Sequence, residues 1–277
     1  MKPFLVYFLS TFLSSNLYAL ELNGSAIQGG LMFGTVEPGT IVTLDDTEVQ
    51  VSSDGHFVIG FDRDETGTRI LKVLIGKSVL ETRQLEVLSR EYAIERVDGL
   101  PPETVTPDPS AAERIRMESG LVIEARARRY DRSDYVAGFE WPATGRISGV
   151  YGSQRVLNGK PGRPHYGLDI AAPSGTLVRA PADGVITLVH ANMYFSGGTI
   201  ILDHGQGLSS TFLHLSEILV DANAVVIKGD QIGRIGATGR ASGPHLDWRM
   251  NWMNRRVDPR PLLPEVSELP AGAIQTN

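Results

Sequence analysis

Residues 165–169 read His-Tyr-Gly-Leu-Asp and place an imidazole and a carboxylate four residues apart. Imidazole nitrogen and carboxylate oxygen both bind zinc, at about 2.0–2.2 Å, so two such ligands must converge within a few ångström. In a straight strand, residues i and i+4 share a face but lie roughly 13 Å apart, at about 3.3 Å per residue. The chain is therefore predicted to bend between His165 and Asp169, with Gly167 tolerating the required backbone angles.

A second polar segment, His245-Leu246-Asp247, begins eighty residues after His165. Its histidine and aspartate are two residues apart, so they share a face if the segment is a strand. A single His–Asp pair at short spacing is more often a hydrogen bond within a loop than a metal site. The two segments together indicate a site that neither would establish alone.

Composition restricts the chemistry that the chain can use. The 277 residues are 42% hydrophobic and 21% charged, which is typical of a soluble globular protein with one large domain or two ordinary ones. The net charge of −6 argues against a general nucleic-acid binder, whose domain would be basic. No cysteine is present, which excludes disulfides, thiolate nucleophiles and cysteine-ligated zinc. A metal site must therefore use His, Asp or Glu.

The first 19 residues are predicted to be a signal peptide. Lys2 supplies a short positive region, Phe4 to Leu13 is an apolar run, and Leu17-Tyr18-Ala19 is typical of a cleavage site. The run is shorter than the roughly 20 residues that span a bilayer. We expect a periplasmic or secreted protein without a membrane span after cleavage; the alternative is an uncleaved anchor or a buried N-terminal element.

The rest of the chain divides into a small β module, a linker with a helix, a β domain and a tail, at residues 20–97, 98–136, 137–265 and 266–277. Short β-type runs between turns predict a small β-sandwich for the first module, with a binding or positioning role. The linker is proline-rich, and a capping box of Ser110 and Glu113 predicts a helix that Gly120 ends or interrupts. Strands and glycine-rich turns without helical periodicity predict an antiparallel β domain, so the fold class is mostly β.

Within the β domain, residues 210–215 (Ser-Thr-Phe-Leu-His-Leu) predict a strand. Strict alternation places His214 on the face of Ser210 and Phe212, and leaves Thr211, Leu213 and Leu215 for the core. His214 is therefore expected to point outward, into a groove. The remaining histidines are predicted to be structural or surface residues: His56, His190 and His204.

Three motifs together resemble the LytM/lysostaphin-type zinc endopeptidases of peptidoglycan. They are His-Tyr-Gly-Leu-Asp at 165–169, Phe-Leu-His-Leu-Ser at 212–216, and Gly-Ala-Thr-Gly-Arg-Ala-Ser-Gly-Pro-His-Leu-Asp at 236–247. The resemblance covers roughly residues 137–263 and includes the order and spacing of the motifs. It implies an antiparallel β domain of that type, preceded by a β module such as envelope members of the family carry.

The resemblance also implies roles for five residues. His165 and Asp169 correspond to zinc ligands, and His214 and His245 to the two catalytic histidines. Asp247 stands where the family has a histidine as its third zinc ligand. Aspartate ligates zinc with a similar bond length, but His-Asp-Asp carries a charge of −2 where His-His-Asp carries −1. We therefore expect a weaker Lewis acid and a relaxed preference for zinc over Mn²⁺ or a similar ion.

These assignments predict an exported zinc-dependent endopeptidase that hydrolyses peptide cross-links or stems of bacterial peptidoglycan with metal-activated water. The expected partners are the peptidoglycan peptide and other envelope proteins that contact the N-terminal module. The main alternative is a catalytically inactive LytM-like scaffold that activates a cell-wall amidase or organises envelope proteins, because Asp247 departs from the family pattern. A weaker alternative is a lipoyl-like carrier that would use Lys228.

A regulatory hypothesis concerns the proline-rich linker or the segment 110–135. Either is a candidate for folding over the metal cleft and holding the enzyme latent. The acidic side chains that would then cap the metal are Glu113, Glu118 and Glu124.

Overall fold

The computed structural model describes residues 20–97, 109–157 and 159–265. The predicted signal peptide, the C-terminal tail and most of the proline-rich linker lie outside these residues. Among the residues described, no helix is both long and apolar enough to cross a membrane.

The N-terminal module contains seven strands: β1 Glu21–Gly24, β2 Leu31–Thr35, β3 Ile41–Leu44, β4 Thr47–Val49, β5 His56–Gly60, β6 Gly67–Ile75 and β7 Ser78–Val87. They form two antiparallel sheets, ordered β1-β2-β5 and β4-β3-β6-β7. Side chains that alternate along the strands, such as Val42 and Leu44 or Leu71 and Val73, are buried in a common core. The predicted small β-sandwich is confirmed.

The C-terminal domain contains ten strands: β9 Arg146–Gly149, β12 Gly167–Ala171, β13 Leu177–Arg179, β14 Gly184–Met193, β15 Gly197–Asp203, β16 Leu208–Ile218, β17 Val225–Val226, β18 Gln231–Ile235, β19 His245–Trp252 and β20 Arg255–Val257. Seven of them follow one hydrogen-bonded path, β17-β14-β15-β16-β19-β12-β9. β18 pairs with β13 and β16, and β20 pairs with β19. The predicted antiparallel β domain is confirmed.

A fourth sheet joins the two halves of the chain. β8 (Ile94–Val97) pairs in parallel with β10 (Gln154–Leu157), which pairs antiparallel with β11 (Lys160–Pro161). Nearby, the Arg63 guanidinium donates from Nε and Nη2 to the carbonyl oxygen of Gly152, at 3.0 and 2.8 Å. The N-terminal module is therefore fixed directly against the β domain, in addition to its covalent connection through the linker.

Helix α1 (Ala112–Ala127) lies where the sequence predicts a helix, but its ends differ from the prediction. A 3-10 turn at Pro109–Ala111 precedes it, and the N-cap residue is Ala111, which has no side-chain hydrogen-bond acceptor. Gly120 lies inside the helix instead of ending it. An internal glycine costs about 1 kcal/mol relative to alanine, and packing of α1 on β14 and β15 supports the helix. Further 3-10 turns occur at Asp134–Ala137 and Arg260–Leu262.

His204 holds the end of β15 in the core. Its Nδ1 lies 2.7 Å from the carbonyl oxygen of Asp183, and its Nε2 lies 2.8 Å from Oγ of Ser210. The ring packs edge-on against Phe139 and is fully buried. Burial lowers the pKa of His204 to about 4, so the ring is neutral at pH 7. The predicted structural role of His204 is confirmed.

The other two histidines set aside by the sequence also have local partners. His190 lies within β14 rather than in a loop, and its Nδ1 accepts the backbone N–H of Asn192 at 3.2 Å. His56 begins β5, and its Nδ1 lies 3.3 Å from Oγ1 of Thr35.

Acidification is expected to destabilise the fold through His204. Its pKa is about 4 when folded and about 6.5 when unfolded. The contribution of His204 to the free energy of unfolding is therefore fully present above about pH 6.5. It decreases as the pH falls toward 4, by up to about 1.4 kcal/mol per pH unit. His204→Gln should show a flatter decrease in the free energy of unfolding over this range than wild type, measured by urea denaturation.

Two features make this comparison specific. Burial raises the pKa of Asp203 to about 6, so this carboxyl makes the folded state more stable as the pH falls, opposite to His204. Asp203 is present in both wild type and His204→Gln. The test therefore compares the two proteins by how steeply their free energies of unfolding change with pH. Ser210→Ala removes a hydrogen-bond partner but retains the imidazole, and it should keep the steep slope. Equal slopes for wild type and His204→Gln would contradict the prediction.

Candidate active site

The register of three neighbouring strands brings the predicted site residues to one face of the sheet. In the β12–β19 pair, Asp169 lies opposite Asp247 and Ala171 lies opposite His245. Residues directly opposite each other point to the same face, so the two carboxylates converge. His165 lies two residues before the start of β12. The candidate ligand atoms of His165, Asp169 and Asp247 all lie within 4.8 Å of one another. The sequence-predicted metal ligands are therefore neighbours in space.

The geometry of His165 and Asp169 fits a metal ion better than a hydrogen bond. His165 Nε2 lies 3.2 Å from Asp169 Oδ1, yet both atoms are buried and neither has a hydrogen-bond partner. Ligand atoms bound tetrahedrally to zinc at about 2.0–2.1 Å are about 3.3 Å apart. Burial pushes the pKa of His165 down, but the carboxylates of Asp169 and Asp247 together outweigh it and raise the pKa. The pocket thus attracts positive charge.

Two glycines leave room for the carboxylates. A side chain at Gly149 would collide with the carboxylate of Asp169, and one at Gly167 would collide with that of Asp247. Gly167 does not have a positive φ, so the prediction that it is needed for its backbone angles is wrong. It is needed for space, and the chain instead reaches the site because His165 lies before the strand begins.

His214 has a backbone conformation that alternation could not predict. Its φ is +65°, which is rare for a residue other than glycine and is found at functional sites. Between the pairs Gly198–Leu215 and Ile200–Phe212, one residue of β15 lies opposite two residues of β16, so a β-bulge interrupts the strand. Phe212 and Leu215 therefore both join the core.

His214 lies beside His245 but is buried rather than outward-pointing, and the predicted face is wrong. Phe212 faces the core, whereas Thr211 faces helix α1 and its Oγ1 accepts a hydrogen bond from Arg126 Nη2 at 2.9 Å. The bulge, and not simple alternation, is what turns the His214 ring toward the site.

The rings of His214 and His245 lie side by side, with centroids 4.8 Å apart. Nδ1 of His214 lies 2.8 Å from the carbonyl oxygen of Thr238, and Nδ1 of His245 lies 2.8 Å from that of Gly243. Because a carbonyl oxygen only accepts, each Nδ1 carries a proton, and each Nε2 is an acceptor in the neutral ring. Burial lowers the pKa of His214, which favours its neutral form.

Arg249 is the site residue that the sequence analysis missed. Its Nε donates to both carboxylate oxygens of Asp247, at 3.0 Å each, and its Nη2 donates to Oδ2. Burial disfavours the charged form of each residue, but the charge and hydrogen bonds of its partner outweigh that effect. The pKa of Asp247 is therefore lowered and the pKa of Arg249 is raised. The two residues are i and i+2 on β19, a spacing that places them on one face and was visible in the sequence.

A cleft of about 1080 Å³ is lined by four of the site residues, His165, Asp169, His245 and Arg249. One wall comes from β8 of the N-terminal module, through Ile94 and Glu95, and another from β9 and the loop before His245. Arginines lie at the rim, namely Arg146, Arg155 and Arg163. The charged side chains in its lining suit a polar ligand.

Helix α1 does not close this cleft. Glu118 forms an ion pair with Arg114 at 2.7 Å and accepts the backbone N–H of Tyr194 at 2.7 Å. Glu113 pairs with Arg116 at 2.8 Å. The hypothesis that Glu113 or Glu118 caps the metal is therefore wrong, because both carboxylates have partners away from the site.

Comparison with known proteins identifies the domain that carries this geometry. Residues 163–259 match peptidase family M23, and they include all five predicted site residues. The C-terminal β domain thus carries a match to peptidase family M23 over residues 163–259. This family consists of metallopeptidases, so the resemblance found in the three motifs is confirmed.

A solved structure extends the similarity to the whole fold. A crystal structure from Pseudomonas aeruginosa, described as a peptidase M23, superposes with a TM-score of 0.66 at 28% sequence identity. The superposition covers 88% of this chain and 95% of that one. An M23 domain preceded by a β module is therefore an arrangement shared with another solved structure.

Sequence relatives match over shorter stretches. A Haemophilus influenzae protein named as an uncharacterized metalloprotease is 30% identical over 185 residues, which are 62% of this chain and 37% of that protein. The peptidoglycan DD-endopeptidase ShyA of Vibrio cholerae is 39% identical over 95 residues, which are 34% of this chain and 22% of that enzyme. The alignments thus span well under two thirds of these relatives.

Gly149→Ala is expected to damage the site while sparing the fold. The three atoms nearest to the added methyl group all belong to the side chain of Asp169, so we expect the carboxylate to be displaced from His165. We expect zinc affinity, measured by chelator competition, to decrease by about 10- to 100-fold, as for other losses of ligand orientation. The free energy of unfolding of the metal-free protein should change by less than about 1 kcal/mol.

Gly120→Ala provides the matched control, because a methyl group at Gly120 meets nothing within 4 Å. It should leave zinc affinity unchanged and stabilise α1 by about 1 kcal/mol. Unchanged zinc affinity in Gly149→Ala would show that Asp169 does not need the space this glycine leaves.

Proposed function

We propose that this chain is a metal-dependent endopeptidase that hydrolyses peptide bonds of bacterial peptidoglycan in the cell envelope. The observation that carries the proposal is the convergence of His165, Asp169 and Asp247 in an M23 domain, with His214 and His245 on the same face of the sheet. The name of the Vibrio cholerae relative supports peptidoglycan as the substrate. Export through the predicted signal peptide is part of the proposal.

His165, Asp169 and Asp247 would hold the metal, which we propose to be Zn²⁺ or, given two oxygen ligands, Mn²⁺ or a similar ion. A divalent cation at this position supplies Lewis acidity toward the scissile carbonyl and makes a nearby water more acidic. Nε2 of His165 and Oδ1 of Asp169 are buried, lie 3.2 Å apart and have no hydrogen-bond partner, which supports a bound cation between them.

The two histidines would move protons during the reaction. With its pKa lowered by burial, His214 is neutral at pH 7, and its Nε2 is suited to accept a proton from the attacking water. His245 can donate from Nε2 only when its ring is protonated, because its Nδ1 already donates to the carbonyl oxygen of Gly243. In that form it would donate a hydrogen bond to the developing oxyanion or protonate the leaving amine. Thr238 and Gly243 hold the two rings through their carbonyl oxygens, which keeps both Nε2 atoms available.

The N-terminal module would contribute to substrate binding. Ile94 and Glu95 of β8 form one wall of the cleft, and Ile94 is half exposed there. A peptide that crosses the metal site would therefore contact both modules. Contacts of the same module with other envelope proteins remain part of the proposal on the sequence evidence alone.

The two alternative functions are less well supported. A scaffold that has lost activity would be expected to lose several site residues together, whereas four of the five match the family and the fifth retains a carboxylate. A lipoyl-like carrier needs an exposed lysine, but Nζ of Lys228 donates to the carbonyl oxygen of Ala137 at 3.0 Å. The endopeptidase accounts for all five residues.

Metal content and cleavage test the proposal together. Purified protein should contain about one divalent ion per chain, and chelation should abolish the release of peptide fragments from peptidoglycan until zinc is restored. His214→Gln should retain the metal but lose about 10²- to 10⁴-fold in cleavage rate, because a proton acceptor is removed. Asp169→Ala should lose both metal and cleavage.

The scaffold alternative predicts a different set of results. Wild type would then contain no metal after zinc or manganese is supplied, and would release no fragments, yet would increase the activity of an added wall amidase. That combination would contradict the proposed function.

The contribution of the N-terminal module can be tested through Ile94. Ile94→Ala removes apolar surface from the cleft wall and should raise KM for peptidoglycan fragments several-fold, with kcat little changed, because it acts on binding rather than on the reacting groups. Val79→Ala is a matched control, since Val79 is similarly exposed, 52% against 50% for Ile94, and is not among the residues lining the cleft. An equal effect of both substitutions would exclude a role for this wall.

A further inference from the structure

Arg249 and Asp247 form a closely fitted ion pair inside the candidate metal site. The Asp247 side chain is almost fully buried, and that of Arg249 is 27% exposed. Strand register fixes the pair, because Arg249 lies opposite Gly167, a position without a side chain, directly beside the opposed carboxylates. The guanidinium thus lies in the same row of outward residues as Asp247 and His245, and it lines the cleft.

The summed charge of the ligand residues equals that of a His-His-Asp set only if Arg249 is included. His165, Asp169 and Asp247 sum to −2 with a neutral imidazole, whereas a His-His-Asp set sums to −1. The Arg249 guanidinium returns the sum to −1. The expectation of an electron-rich site with weaker Lewis acidity, drawn from the three ligands alone, therefore omits a positive charge that contacts one of them.

We propose that Asp247 and Arg249 act as one unit at the third ligand position, in which Arg249 offsets the extra negative charge of Asp247 and fixes the orientation of its carboxylate. The inference rests on the proposed metal site. An ionised carboxylate has about four lone-pair positions, so an oxygen that accepts from Arg249 retains a position for a cation. Arg249 is a positioning residue, acting on the metal through Asp247, as hydrogen-bonding partners of metal ligands do.

Local charges define what the pair must overcome. Asp169 and Tyr166 lie near Arg249 and favour its positive charge. Arg126 and Arg256 also lie near it. Burial is the main cause of their lowered pKa values, and the charge of Arg249 lowers them further. Positive charge is therefore already in excess beside the site. If Asp247 were neutral, Arg249 would be a partly buried cation that faces the metal without its carboxylate partner, a costly arrangement.

A double-mutant cycle on zinc affinity tests the unit directly. The four proteins are wild type, Asp247→His, Arg249→Gln and the double variant, and zinc dissociation constants are measured by chelator competition. With Arg249 present, Asp247→His leaves the guanidinium uncompensated and should weaken zinc binding by about 10- to 100-fold. With Arg249 replaced by glutamine, the same change yields a His-His-Asp set and should restore binding to within a few-fold of wild type.

Two additions keep the test decisive. Urea denaturation of each metal-free variant checks folding, and if Asp247→His does not fold, Asp247→Asn with and without Arg249→Gln is compared in the same way, with tighter binding expected in the double variant. Arg249→Lys retains the positive charge but not the two-oxygen contact. It should bind zinc more weakly than wild type and more tightly than Asp247→His.

The outcomes separate this inference from the proposed function. Equal zinc affinity in Asp247→His and the double variant would overturn the inference, because Arg249 would then exert no charge effect on the metal. Zinc binding by Arg249→Gln but not by wild type would also overturn it, by showing that Arg249 blocks the site. Wild type that binds zinc but cleaves no peptidoglycan would contradict the proposed function alone, since the cycle is read from zinc affinity.

Discussion

The antiparallel register between β12 and β19 is the constraint on which the site depends. It places Asp169 opposite Asp247, and β19 then carries His245, Asp247 and Arg249 outward while Leu246, Trp248 and Met250 fill the core. Because side chains alternate with a period of two, a slip of one residue would exchange these two sets. The apolar set is completely buried, so the core fixes the register, and the register assembles the site.

Two like charges held this close require compensation from their surroundings. The carboxylates face a partly buried histidine on one side and a guanidinium on the other, and two glycines prevent steric crowding. Asp169 and Asp247 have different environments: Asp247 is fully paired with Arg249, whereas Oδ1 of Asp169 has no hydrogen-bond partner. That difference suggests separate roles, with His165 and Asp169 offering open ligand atoms and Asp247 offering a prearranged one.

Much of the site could be predicted from the sequence because its information is local. The motifs gave His165, Asp169, His214, His245 and Asp247, and short strands between glycine-rich turns gave the mostly β fold. The errors arose where a tertiary contact overrides a local rule. A bulge at His214 reversed the expected faces of β16. Packing on the sheet stabilises α1 as a continuous helix across Gly120. The absence of a side chain at Gly167 leaves space for the carboxylate of Asp247 and is not needed for an unusual φ.

The pairing of β8 with β10 could not be predicted in the same way. It joins residues sixty positions apart in parallel, and parallel pairing leaves no turn signal between its strands. Its consequence is functional, because it brings Ile94 to the cleft. The division into an N-terminal module without chemistry and a C-terminal catalytic domain is therefore too simple, since the cleft is built from both.

Arg249 shows how a departure from a family motif should be interpreted. Taken alone, aspartate in place of a histidine ligand changes the charge of the site and argues for altered or lost activity. The residue two positions later lies on the same face of the strand, and it contributes the opposite charge at hydrogen-bonding distance. The unit to compare with His-His-Asp is therefore not one ligand but a pair of side chains, whose combined charge is neutral like that of the histidine they replace.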